Sequence, residues 1–131
     1  MAERDYSAVP LWHKLGVKEG SLVNILHLPD NVEALSKLPA NASRGKVSVD
    51  VIIVFVTSST KLQDEFARLM PTLAGRGGLW VAWPKKTSSI RNDLDFDTVQ
   101  RTGLSCGLVD NKICRIDDDW QAIRFVRRLK K

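Results

Sequence analysis

DVIIVFVTSSTKLQDEFARLMPTLAG, residues 50–75, is the stretch that decides the fold. Val51 to Val56 are six consecutive apolar residues, mostly β-branched. A strand with one wet face alternates apolar and polar side chains. An unbroken apolar run has no wet face, so this strand is covered on both sides. Thr57, Ser58, Ser59 and Thr60 follow and supply hydroxyls suited to capping a helix. Leu62, Phe66, Leu69 and Leu73 then recur at spacings of four, three and four, which places them on one helical stripe. Pro71 is expected to disturb the last turn and Gly75 to end the helix. A doubly covered strand leading into an amphipathic helix is half of a βαβ unit.

The pattern continues on both sides. Downstream, Gly78 to Trp83 reads as a second buried strand. Asp93 or Asp95 is placed to cap a further helix that packs Phe96, Val99 and Leu104 inward and stops at Gly107. Lys112 to Asp117 and Trp120 to Arg128 each alternate, with Asp118-Asp119 between them, which predicts an antiparallel hairpin. Upstream, Pro10 to Leu15 predicts a short helix and Ser21 to Leu28 a strand. Asn31 to Leu38 predicts a short helix capped by Asp30 or Asn31. Pro39 to Lys46 is polar and turn-rich, with room for a short edge strand. The sum is an α/β chain: one Rossmann-like three-layer domain over residues 1–131 with an N-terminal extension, 1–9. Its sheet is mostly parallel and ends in an antiparallel hairpin.

Composition bounds the partners. The 131 residues suffice for one core, and 44% hydrophobic with 27% charged content is ordinary for a globular chain. Twenty basic and 15 acidic residues leave a net charge of +5, which permits weak attraction to anions without demanding a nucleic acid. MAERDYSAVPLWHKLG has no apolar run of signal-peptide length, and Val51 to Val56 is far short of a membrane span, so a cytoplasmic location and no membrane partner are expected. Cys106 and Cys114, eight apart, match no metal-ligand spacing and are expected as small core residues. Asp117-Asp118-Asp119 lacks the glycine and later glutamate of a calcium loop and reads as a hairpin turn, so no metal is expected.

The order of elements resembles the class I methyltransferase fold in truncated form, a Rossmann-like sheet with a reversed final strand. LGVKEGSLVNIL is similar to the entry of its first strand and LAGRGGLWVAWP to its late helix-turn-strand passage. That resemblance implies a glycine-rich turn after the first strand, where bare backbone approaches the methionine portion of S-adenosylmethionine. Here the turn is His27-Leu28-Pro29-Asp30-Asn31, with no glycine and with a proline that removes a donor. The acidic residue that would hold a ribose is also missing. No cofactor is therefore expected. Over most of its length the chain also resembles an uncharacterised bacterial family common in actinobacteria, through VPLWHKLGVKEG, VIIVFVTSS, GGLWVAWPKKTS, GLVDNKICRIDDDW and IRFVRR. That family implies a fold and no activity.

Ligands of open parallel sheets sit outside the carboxyl ends of the strands. Three loops should meet there and bring together His27, Asp30, Thr57, Ser58, Trp83, Lys85 and Lys86. An imidazole, hydroxyls, an indole and two ammonium groups suit a small anionic metabolite. Ser58 or Ser59 can equally cap a helix, and the lysines can simply end a strand in water. His13 is expected on the surface. Arg124, Arg127, Arg128, Lys130 and Lys131 would guard a charged final edge strand. The reading that follows is a non-catalytic binding or regulatory module, monomer or homodimer, whose partner is a small anion-bearing metabolite or another protein. A small enzyme using His27 or Asp30 as acid–base and Lys85 or Lys86 as anion clamp is the first alternative. Weak nucleic-acid binding through the basic tail is the second and is not favoured.

Overall fold

A computed structural model describes residues 9–128. The proposed extension up to Ala8 and the tail residues Leu129, Lys130 and Lys131 lie outside the described residues. The element order is α1 (Val9–Lys14), β1 (Leu22–Leu26), β2 (Ser43–Arg44), β3 (Val49–Phe55), α2 (Ser59–Leu69), β4 (Leu73–Pro84), α3 (Phe96–Ser105), β5 (Leu108–Arg115) and β6 (Trp120–Arg127). The six strands form one sheet in the order β2-β1-β3-β4-β6-β5. The pairs β1–β2, β1–β3 and β3–β4 are parallel, whereas β6 runs antiparallel to both β4 and β5. This is the mixed α/β sheet, with a terminal hairpin, that the hydrophobic pattern implies.

Alternation along β3 divides the core in two. Val51, Ile53 and Phe55 face a cluster with Leu11, Trp12 and Leu15 of the N-terminal segment, Trp80, and Trp120. Ile52 and Val54 face a second cluster with Leu62, Phe66 and Leu69 of α2 and Val99 of α3. Both faces of β3 are thus dry, as an unbroken apolar run requires.

Several elements differ from expectation. The helix does not run to Gly75: α2 ends at Leu69, Met70–Thr72 form a single 3-10 turn around Pro71, and β4 begins at Leu73. Leu73 pairs with Val49 and Gly78 with Val51, so β4 bulges between them. At Gly77 a Cβ would lie 2.8 Å from the Val49 carbonyl oxygen and 2.9 Å from that of Asp50, a backbone approach that only glycine permits. Gly75, read as the helix stop, therefore lies within a strand bulge. Asn31–Leu38 forms no α-helix, only a 3-10 turn over Glu33–Leu35, and neither Asp30 nor Asn31 caps it. The three-residue spacing of Val32 and Leu35 suits a 3-10 turn, and both are buried. In α3, Asp95 is the cap, Val99 and Gly103 form the buried face, and Phe96 and Leu104 stay 42% and 37% exposed. Finally, β6 is not an edge: it lies between β4 and β5, so its arginines do not guard the sheet border.

Candidate functional site

The switch point of this sheet lies between β1 and β3, where the strand order reverses, and a parallel sheet opens a crevice at the carboxyl ends there. The structure has a cleft at that place, of about 310 Å3, lined by His27 and Pro29 beyond β1, Phe55, Val56 and Thr57 at the end of β3, Lys61 and Glu65 of α2, and Trp120. The chain leaves β1 through His27 in a left-handed conformation (φ 60°), a region that most side chains avoid. His27 Nε2 meets Glu65 Oε2 at 2.7 Å, and the other Glu65 oxygen accepts from Arg68 Nη2. Glu65 itself is buried, while the imidazole is 56% exposed. The pair ties the end of β1 to α2 along one wall of the cleft.

Trp120 closes the other side. Its ring packs edge-on against Phe55, with centroids 5.0 Å apart at 79°. Its backbone amide donates to Asp117 Oδ1, which also takes the Asp119 amide, so the three aspartates do make the hairpin turn. The indole is 4% exposed, yet its Nε1–H has no hydrogen-bond partner among the described residues. Trp80 shows the usual arrangement, with its buried Nε1 donating to the Leu15 carbonyl at 2.9 Å. A buried donor without an acceptor is uncommon and costs the desolvation of that group.

The expected convergence of three loops is split into two clefts. His27 and Thr57 share the switch-point cleft. Trp83, Lys85 and Lys86 line a separate cleft of about 360 Å3 with the start of α3. The Trp83 indole is 1% exposed and packs against Phe96, so its duty is largely structural. The Lys85 amide donates to the Asp119 carbonyl, and Ser88 Oγ bonds Asp119 Oδ1, which fixes the lysine-bearing turn to the hairpin turn. Ser58 accepts from the Lys61 amide and caps α2. Asp30 is exposed, and it and Ser58 line neither cleft. His13 is exposed, Cys114 is buried and Cys106 half-buried.

Lys61, Glu65 and Trp120 escaped the sequence reading of the site. A signal existed for Glu65: it follows Leu62 by three and precedes Leu69 by four, which puts a carboxylate on the buried stripe of α2. None existed for the vacant hydrogen-bonding position of Trp120. Among the described residues no group of three or more His, Cys, Asp or Glu could hold a metal, and no helix is long and apolar enough to cross a membrane.

No family model and no curated protein matches the chain. Solved structures do match in fold. Magnesium protoporphyrin IX methyltransferase from Synechocystis PCC 6803, with bound SAH, aligns with a TM-score of 0.62 at 13% identity over 93% of this chain and 80% of its own. A SAM-dependent methyltransferase from Aquifex aeolicus aligns with a TM-score of 0.55 at 10% identity, over 90% and 88%. A putative type 11 methyltransferase from Sulfolobus solfataricus aligns with a TM-score of 0.53 at 12% identity, over 92% and 91%. The chain therefore has a methyltransferase-like Rossmann fold. Identities this low establish the fold and leave the chemistry to the site.

Proposed function

We propose that this chain is a non-catalytic small-molecule-binding module whose ligand places an anionic or carbonyl oxygen in the switch-point cleft. The observation that carries the reading is the switch-point cleft, which brings the Lys61 ammonium and the Thr57 hydroxyl beside the ring of Trp120, a side chain whose Nε1–H is buried without a partner among the described residues. An oxygen acceptor seated there is balanced by the lysine and bonded by the hydroxyl, and it satisfies the indole once the Trp120 ring shifts to expose its N–H. S-Adenosylmethionine does not suit the turn: His27 brings a side chain tied to Glu65, and Pro29 lacks an N–H, where the fold's cofactor turn presents bare backbone.

The test uses the indole resonances. The Trp120 N–H signal is assigned by its absence in Trp120→Phe, and carboxylated, phosphorylated and adenosyl metabolites are titrated. A metabolite that moves this resonance, leaves that of Trp80 in place and loses affinity in Trp120→Phe supports the reading. Tight binding of S-adenosylmethionine, or a Trp120 resonance that no metabolite moves, overturns it.

The 2.7 Å contact of His27 and Glu65 favours a second reading, a small enzyme in which Glu65 orients His27 as acid–base. Turnover of any bound metabolite that disappears in His27→Gln would replace the non-catalytic reading with this one.

A further inference from the structure

The opposite end of the sheet holds a different constellation. A cleft of about 370 Å3 opens between the loop after α1, the start of β3 and the bulge of β4, and Lys18, Arg76 and Arg124 are its cations. Glu19 and Asp50 also line it. Asp50 Oδ2 is engaged by the Leu22 amide at 2.8 Å, and three cations against two carboxylates leave the lining positive by one charge.

Arg124 is the unusual member. It projects from β6, one strand in from the edge, on the face that carries Trp80, its directly opposed residue on β4. The guanidinium lies against Gly78, where a Cβ would be 2.3 Å from Nε and 2.9 Å from Cζ. It is half-buried, and no carboxylate among the described residues lies within ion-pair distance. Its one side-chain hydrogen bond among them goes to Asn111 Oδ1 at 3.3 Å. Its opposed residue on β5 is Lys112, a like charge. Burial pushes the guanidinium below its ordinary pKa, the direction of an environment that disfavours the charge, although an arginine stays protonated. A half-buried cation facing another cation and lacking an anion is costly to maintain. A glycine cleared beneath it keeps its planar fork at the cleft.

We propose that this amino-end cleft is a second binding site, one that takes a phosphoryl-type oxyanion of a small metabolite, with Arg124 as its bidentate anchor and Arg76 and Lys18 as flanking charges. Arginine's fork matches two oxygens of one such group, and the incoming anion supplies the counter-charge that the fold leaves out. The site is independent of the switch-point cleft and shares none of its lining.

Inorganic pyrophosphate is the probe, with acetate as the control. In the whole chain, pyrophosphate should shift the Arg124 Nε–H resonance saturably and leave the Trp120 indole unmoved, and acetate should do neither. Arg124→Met should weaken binding by about tenfold or more, as expected for loss of a charge-assisted bidentate contact. Gly78→Ala is the second variant. It keeps every charge, and its new methyl meets the far part of a flexible side chain, so the fold survives while the guanidinium is displaced. It too should weaken binding several-fold. An Arg124 resonance that pyrophosphate does not move, wild-type affinity in Gly78→Ala, or binding confined to single-stranded oligonucleotides overturns the proposal.

Discussion

Gly103→Ala sets two effects of opposite sign against each other, and the structure decides between them. Gly103 lies in the last turn of α3, where glycine is still a poor helix former; on propensity alone alanine stabilises by at most about 0.8–1 kcal/mol. The same residue is where α3 rests on β6. A Cβ at 103 would lie 2.1 Å from Cε1 of Phe125 and 2.6 Å from its Cδ1 and Cζ. That ring cannot swing away freely. It is fully buried and packs edge-on against Phe66 of α2, with centroids 5.2 Å apart at 83°. Restoring a carbon–carbon contact of about 3.6 Å requires α3 to lift by roughly 1.5 Å. Overpacking of this kind costs about 1–3 kcal/mol, and the pinned ring places it in the upper part of that range. The net effect is a loss of about 1–2 kcal/mol after the propensity gain is subtracted. For a domain of this length the midpoint of thermal unfolding should fall by roughly 3–8 °C. Circular dichroism against heat and urea measures it, and Gly103→Ala combined with Phe125→Leu completes a double-mutant cycle. The double variant should lose less than the sum of the singles, because the smaller side chain vacates the space the methyl needs. A Gly103→Ala protein as stable as the parent, or more stable, would refute the packing argument.

Three further outcomes follow from particular contacts. Arg127 Nη2 donates to the carbonyls of Met70 and Leu73 at 2.7 and 2.9 Å and ties the corner between α2 and β4 to β6. Arg127→Met should therefore cost about 2 kcal/mol in urea unfolding, and a loss near zero would show that water serves those carbonyls equally well. The Asp95 carboxyl is held below its ordinary value of 3.8 by its hydrogen bonds to Thr98 at the start of α3. Its contribution is therefore present above 3.8 and is lost as pH falls through the lower folded-state value. Asp95→Asn keeps a cap acceptor without titrating, so the parent's advantage over it in thermal midpoint should shrink in acid, and an advantage that grows there contradicts the sign. His27→Gly relieves a left-handed backbone at a gain of about 1 kcal/mol and removes one hydrogen bond to the buried Glu65 carboxylate, which keeps Arg68 as a partner, at a loss of about 1 kcal/mol. Stability should barely change while affinity at the switch-point cleft drops; a large loss of stability would make His27 a structural residue first.

The fold was legible because its decisive residues act through periodicity. Val51 to Val56, short and mostly β-branched, read as a strand covered on both faces, and Leu62, Phe66 and Leu69 as one helical stripe, from which Leu73 departs into β4. What periodicity missed, glycine contacts decided. LAGRGG looks like a helix exit by composition, but Gly77 and Gly78 are shaped by what lies against them, two carbonyls in one case and a guanidinium in the other. Phe96 and Leu104 look like the inward residues of α3, yet the position that meets the sheet is Gly103, whose missing side chain sets how closely the helix approaches. The site was legible only in part, for a related reason. His27 and Thr57 follow from strand ends and switch-point topology. The hydrogen-bonding vacancy of Trp120 depends on distances between segments far apart in the chain. Strand alternation did contain a hint of Arg124, because it shares parity with Trp120 and Ala122, both in the apolar core.

The two clefts also bear on what a methyltransferase-like fold keeps without the glycine turn. A crevice at the switch point requires only that β1 and β3 be parallel neighbours whose following segments leave in different directions. It does not require the crossover helix after β1, which here is one 3-10 turn, nor a long second strand, which here is two residues. The glycine turn is a separate requirement, imposed by one ligand's need for close backbone approach. Without it the crevice still stands, and its walls carry other groups, in this chain an imidazole–carboxylate pair and an ammonium. The amino end of the sheet is under no such topological constraint. A half-buried arginine there has no architectural explanation, and that is why Arg124 is the more informative residue to test for a ligand.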